Sequence, residues 1–333
     1  MLRLGIVLIV TSLIVLGAAV TTIDEDEILS PTSLGSTTTT TTAEQPAPTT
    51  STPDSTTTTI DNRPALALVS ESGVVVAVRD QTRRGYLVTT TCGSTTFVTG
   101  GSPVTEVRVV LDPGHGGNVD TGAVAPTGLV ERDINLDLAK ATQAILEQRG
   151  IATLLTRTGN YTVPLGVRAH IADNAGAEAL VSIHHNAPTP GVSNFPGTEV
   201  FVQTESADSQ RLGGLLYEHT VTALDQVENV TWHAAPDAGV LKVHNSSGID
   251  TYGMIRLPET PSALIELLYI NSQEEAEFIA TDRYMDLASV ALADAIEAYL
   301  ETDDPGSGHV EEPRRFTAQA SVAESVCEDA PLG

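Results

Sequence analysis

Lysine is nearly missing from this chain, which holds only Lys140 and Lys242 among 333 residues. With arginine included, 17 basic side chains stand against 43 acidic ones, a formal net charge of −26. Binding to nucleic acid draws on counter-ions released by a basic face, so no nucleic-acid partner is expected. The same deficit argues against adhesion to anionic lipid surfaces. What remains is an acidic, self-repelling protein, and a monomer is expected. Aromatic residues are also few, at 4%, and Trp232 is the single tryptophan. Two common hydrolase signatures are missing: there is no HExxH ligand pair and no G-x-S-x-G elbow. Cys92 and Cys327 are the only cysteines. Cys92 lies in a Thr-rich run, a poor setting for a nucleophile.

Charge is absent from Leu4 to Val20, behind the single Arg3. Residues 1–20 read as a signal peptide or an uncleaved membrane anchor. Gly17-Ala18-Ala19 offers small residues for cleavage, while the run approaches the roughly 20 residues of a spanning helix. Either way the remainder is expected to be exported to the cell envelope, where a cysteine pair reads as a disulfide rather than a metal site. Residues 21–62 are rich in Thr and Pro and almost without apolar side chains. Such a composition cannot offset the entropy of ordering and reads as an extended, disordered linker.

Residues 63–105 carry short β-branched runs such as LALV, VVVAV and YLVTTTC, bounded by glycine and polar turns. Three or four strands are expected, either as a β-rich extension packed on the region from 106 onward or as a tiny barrel. Over 106–302 strands alternate with helices. Strands are expected at 107–111, 151–156, 178–186, 198–203 and 262–268. Helices are expected at 134–150, over VRAHIADNAG, at 209–224, from Gln273, and from Tyr284 to Leu300. This is an α/β fold, a largely parallel or mixed central sheet covered by helices and preceded by the β-strand-rich extension. Residues 303–333 read as a flexible tail.

Ligands in such sheets sit beyond the carboxyl ends of the strands. In VVLDPGHGG, His115 follows the end of one strand among three glycines, a surplus for a plain exposed turn. His184 and His185 end another strand in SIHHN and point to opposite faces, so at most one faces a site. Glu266 interrupts the apolar run ALIELLYI, where a carboxylate costs several kcal/mol unless paired, hydrogen-bonded or neutral. Glu131, just before a helix, also suits a plain role against the helix dipole. Two histidines and a carboxylate form the ligand set of a hydrolytic Zn²⁺ site with one open position. A second carboxylate off the metal can shuttle the proton of an attacking water.

The stretch from Val107 to Leu300 resembles the zinc-dependent N-acetylmuramoyl-L-alanine amidases, the type 3 amidase family. The likeness rests on VVLDPGHGG, GLVERDINLDLA, LLTRTGN, VRAHIADNAGAEALVSIHHNA and PSALIELLYI, in that order. The resemblance implies that His115, Glu131 and His184 are the zinc ligands and Glu266 the catalytic acid-base. It implies peptidoglycan as substrate, with cleavage of the amide between N-acetylmuramic acid and L-Ala. A zinc peptidase acting within the stem peptide, and a non-catalytic wall-binding protein on the same scaffold, are the alternatives. His244 is a spare imidazole that would replace Glu131 as a ligand if Glu131 only starts a helix. Leu268, Tyr269 and Ser272 stand where the family has a small residue, an aromatic and an Asn. Leu268 is therefore expected to reshape the pocket wall. Ser272 and Glu275 have capping-box spacing at a helix start.

Overall fold

Apolar runs that show no polar alternation need cover on both faces, and that requirement organises the chain. The computed structural model describes residues 63–317 and 326–333. The expected leader (1–20) and linker (21–62) lie outside the described residues. The extension holds five strands, β1 Ala67–Val69, β2 Val75–Thr82, β3 Gly85–Thr89, β4 Thr95–Val98 and β5 Ser102–Val104. They form one antiparallel sheet in the order β4-β3-β2-β1-β5. The strand beyond those expected is β5, whose Ser-Pro-Val carries little β signal. Pro103 is tolerated there because β5 is an edge strand.

The main body continues with β6 Val109–Pro113, α1 Glu131–Gln148, β7 Thr153–Leu155, α2 Leu165–Ala175, β8 Ala179–Asn186, β9 Gly191–Ser193 and β10 Glu199–Val202. There follow α3 Ala207–Leu224, β11 Trp232–Ala234, β12 Gly239–Leu241, β13 Val243–His244, α4 Gly253–Arg256 and β14 Ser262–Tyr269. Last come α5 Gln273–Ile279, α6 Asp282–Glu301 and β15 Arg314–Arg315. Six strands make the central sheet, in the order β12-β10-β14-β8-β6-β7. Strands β7, β6, β8 and β14 run parallel; β10 is antiparallel to β14 and carries β12 parallel to itself. The fold is thus α/β with a mixed central sheet.

Val109, Leu111, Val181, Ile183, Ile265 and Leu267 pack in one core with residues of α1, α3 and α6. Val110, Leu180 and Leu264 face the other way, among residues of α2, α4 and the extension. Each such fully buried side chain contributes about 1.5–3 kcal/mol. Ala67, Val75 and Ala77 share that second core, and Asn174 of α2 donates to the carbonyls of Leu66 and Val78. The extension is therefore packed on the body and is not a separate barrel.

Helix α1 begins three residues earlier than its apolar pattern suggests. The amides of Glu131 and Arg132, which a helix start leaves without partners, donate to Ala123 and Thr121 carbonyls of the preceding loop. Ser206, Ser272 and Thr281 cap α3, α5 and α6 by accepting a backbone N–H three residues on.

The described parts of 303–333, expected as a flexible tail, are tied to the rest of the chain. β15 pairs in parallel with β13, Val243 opposite Arg314. Cys327 is bonded to Cys92 of the extension, with Cα atoms 5.7 Å apart. Short strands without an apolar pattern leave little trace in local sequence, whereas the Cys92–Cys327 bond is the disulfide expected of the chain's only cysteine pair.

Candidate metal centre

On the α2 face of the sheet, the alternation that carries Val110, Leu180 and Leu264 turns polar toward the carboxyl ends of the parallel strands. Asp112 pairs in register with Ser182, His184 with Glu266, and Glu266 with Glu199. His115 stands in the loop after β6, and Glu131 enters from the first turn of α1. One nitrogen each from His115 and His184 and one oxygen of Glu131 lie within 4.8 Å of one another.

Glu131 Oε1 sits between the imidazoles, 3.0 Å from His115 Nε2 and 3.2 Å from His184 Nδ1. Its other oxygen accepts from the Ala123 amide at 2.8 Å. Asp120 lies 2.6 Å from His115 Nδ1, which fixes the ring and turns Nε2 toward Glu131. Burial works against charge on His115, yet Asp120 and Glu131 outweigh it and lift the ring to about 10. Burial likewise disfavours the Glu131 carboxylate, but the two histidines hold it well below the usual range. The pocket thus concentrates negative charge around two imidazoles.

Backbone shape explains the DPGHGG sequence. His115 itself has φ of 63°, an uncommon conformation for a residue with a side chain. A Cβ on Gly114 would lie 2.2 Å from Nε2 of His184. One on Gly122 would lie 2.6 Å from Glu131 Oε2 and 2.7 Å from His115 Cδ2. Both positions must be glycine for the trio to close up.

Two buried arginines hold this loop from below. Arg157 donates to the carbonyls of Pro113, Gly114 and Arg132. Arg168 pairs with Asp112 at 2.8 Å and reaches the carbonyls of Pro113 and His115. Burial, followed by the Arg168 guanidinium, pulls Arg157 down to about 10, so it stays charged at neutral pH. Burial opposes the Asp112 carboxylate, but Arg168, Thr156 and Ser182 keep it below its ordinary range.

Glu266 occupies the strand neighbouring His184. Its Oε2 is buried with no hydrogen-bond partner. Burial first, then the Glu131 and Glu199 carboxylates, push Glu266 well above the usual carboxylate range. A carboxyl poised in this way suits proton transfer.

His185 points to the opposite face, as alternation requires. It is buried, 2.8 Å from Asn135 Oδ1 and 2.5 Å from the Tyr284 hydroxyl, and burial lowers it to about 4. His244 lies apart from the trio, its Nε2 2.9 Å from Thr204 Oγ1. Leu268, expected at the pocket wall, is instead fully buried in the core shared with α1, α3 and α6. The strand irregularity between Glu266 and Tyr269 re-aims the residues after Glu266. Ser272 caps α5, whereas Glu275 accepts from the amides of His233 and Tyr269, so the capping box is only half formed.

Asp112, Asp120, Arg157, Arg168 and Glu199 were not singled out by sequence. Asp112 and Glu199 carry the same signal as Glu266, an acid within an apolar strand. The arginines carry none, because their partners, backbone carbonyls and for Arg168 also Asp112, are distant in sequence.

Two imidazole nitrogens and one carboxylate oxygen make a donor set found in hydrolytic metal centres, and zinc suits it. Residues 109–298 match the family described as N-acetylmuramoyl-L-alanine amidase, and the chain belongs to that family. N-acetylmuramoyl-L-alanine amidase AmiA of Salmonella typhimurium is 29% identical over 230 residues, 60% of this chain and 78% of that protein. LytC of Bacillus subtilis, also named an N-acetylmuramoyl-L-alanine amidase, is 29% identical over 202 residues, 60% of this chain and 36% of LytC. Among solved structures, the N-acetylmuramoyl-L-alanine amidase from Clostridium difficile has 26% identity and a TM-score of 0.50, covering 60% of this chain and 100% of that one. The β extension and everything after 298 lie outside the matched stretch.

Proposed function

We propose that this chain is an exported zinc amidase that cleaves the amide joining the lactyl group of N-acetylmuramic acid to L-Ala of a peptidoglycan stem. The observation that carries this reading is the convergence of His115, Glu131 and His184 beside Glu266, whose Cα is in register with that of His184. His115, Glu131 and His184 would hold the ion. When bound, zinc supplies Lewis acidity that polarises a carbonyl and brings the pKa of water to about 7. Glu266 accepts the proton of the attacking water and returns it to the nitrogen of the departing L-Ala. A C–O bond forms as the C–N bond breaks, leaving a lactyl carboxylate and a free amine. Asp120 orients His115, while Arg157 and Arg168 fix the loop that carries it.

Export is supported by the uncharged run of residues 4–20 and by the Cys92–Cys327 disulfide, a bond that persists in oxidising compartments. Residues 1–20 would then be the leader or anchor, and 21–62 the linker that carries 106–302 away from it.

The test is zinc content and product analysis on purified peptidoglycan. The unaltered protein is expected to bind about one zinc, to lose activity to a chelator, and to release whole stems with a free L-Ala amino terminus. Glu266→Gln is expected to keep zinc while turnover falls about 10²- to 10⁴-fold. Glu131→Gln is expected to lose zinc, and His244→Ala to keep it. Stems cut internally would identify a peptidase instead, and full zinc in Glu131→Gln would overturn the ligand set.

A further inference from the structure

Glu199 is a buried acid with no part in that proton transfer. It lies in β10, 1% exposed, opposite Glu266 of β14. Side chains directly opposed in a sheet stand about 4.5–5.5 Å apart at Cβ, and like charges there repel. A carboxylate so placed needs a cation and a full set of donors. Its Oε2 accepts from Asn186 Nδ2 at 2.5 Å and from the Tyr269 hydroxyl at 2.9 Å. Its Oε1 accepts from Arg314 Nη2 at 2.5 Å.

Asn186 ends β8 two residues after His184, and Tyr269 ends β14 three residues after Glu266. Glu199 thus ties the ends of the two strands that carry the site. The cation comes from elsewhere. Arg314 belongs to β15, beyond the stretch 109–298 that matches the family. Backbone bonds from Val310 to Val240, Arg314 to Lys242 and Phe316 to His244 lay this segment along β12 and β13. Asp237 grips the same guanidinium through Nε at 2.9 Å and Nη2 at 2.5 Å. With both carboxylates holding it, Arg314 is fixed in place and not presented to a ligand.

We propose that Arg314 is a positioning residue of the catalytic centre, acting through Glu199 to set the carboxyl ends of β8 and β14. This rests on the reading of Glu266 and His184 as site residues. The segment after α6 is then part of the working site.

The experiment compares Arg314→Met, Arg314→Lys, Glu199→Gln and the double variant Arg314→Met/Glu199→Gln. Steady-state kinetics on soluble muropeptides and bound zinc are measured, together with amide hydrogen exchange over 184–187 and 266–271 in zinc-free protein. Arg314→Met is expected to lower kcat about 10- to 100-fold with KM and zinc little changed, as for a small misplacement of reacting groups. Exchange at both strand ends should rise. Arg314→Lys should recover part of the loss, keeping the charge without the fork. In the Glu199→Gln background, where no charge needs balancing, Arg314→Met should add less than about 3-fold. Wild-type exchange at both strand ends in Arg314→Met, or a fully additive loss in the double variant, would overturn the proposal. If the unaltered chain hydrolyses no muropeptide while exchange still responds to Arg314→Met, the amidase reading fails and the positioning role stands.

Discussion

Glu275 is another buried carboxyl with a consequence of its own. It is 0% exposed and, chiefly through burial, is raised from 4.5 to about 7. Between those values the folded chain holds a proton that the unfolded chain has released. Stability therefore falls as pH rises through this window, the reverse of the usual behaviour of a salt-bridged acid. The size is about 3 kcal/mol for this group. Denaturant unfolding of the wild type and Glu275→Gln from pH 4.5 to pH 8 measures it: the wild type should lose stability relative to the variant as pH rises. Parallel curves would reject the shift. Single residues were legible in sequence where they broke a local rule. An acid in an apolar strand marked Glu266, and a histidine among glycines marked His115. Arg157, Arg168 and Arg314 broke none, because an arginine in a loop or on a helix is ordinarily a solvated side chain. Their roles exist only once distant carbonyls and carboxylates come within reach.

Among the elements, the long ones were readable, and so were short strands with an apolar run such as β1 and β7, while short strands without one were not. α3 and α6, expected at 209–224 and 284–300, start two residues earlier, where Ser206 and Thr281 cap them. β5, β13 and β15 are two or three residues long and are held by pairing with neighbours, so composition gave no warning of them. The start of α1 also escaped, since Ala123 and Thr121, not a capping side chain, receive its first amides. The Cys92–Cys327 bond ties the extension to the segment that includes β15, and its closed loop spans 235 residues. A native disulfide of this kind contributes about 2–5 kcal/mol. Denaturation with and without reductant should show a loss of that order, and a non-reducing peptide map should contain a Cys92–Cys327-linked pair. Two free thiols in unfolded, unreduced protein would contradict the bond.

At the scale of the whole molecule, the charge of −26 repels itself and favours expansion of the chain. Raising salt from 0.01 M to 0.15 M shortens the screening length from about 30 Å to about 8 Å. Tm is therefore expected to rise by a few degrees over that range in a differential scanning measurement, and a flat or falling Tm would show that attractive pairs dominate instead. The same bond between extension and tail has a topological consequence. Everything from Cys92 to Cys327, including the entire site, belongs to one covalent ring, and a peptide cut anywhere between them opens the ring without dividing the molecule. A nicked chain would run as a single species until a reductant separated it into two pieces, so a protease alone would not release half of this enzyme from the other.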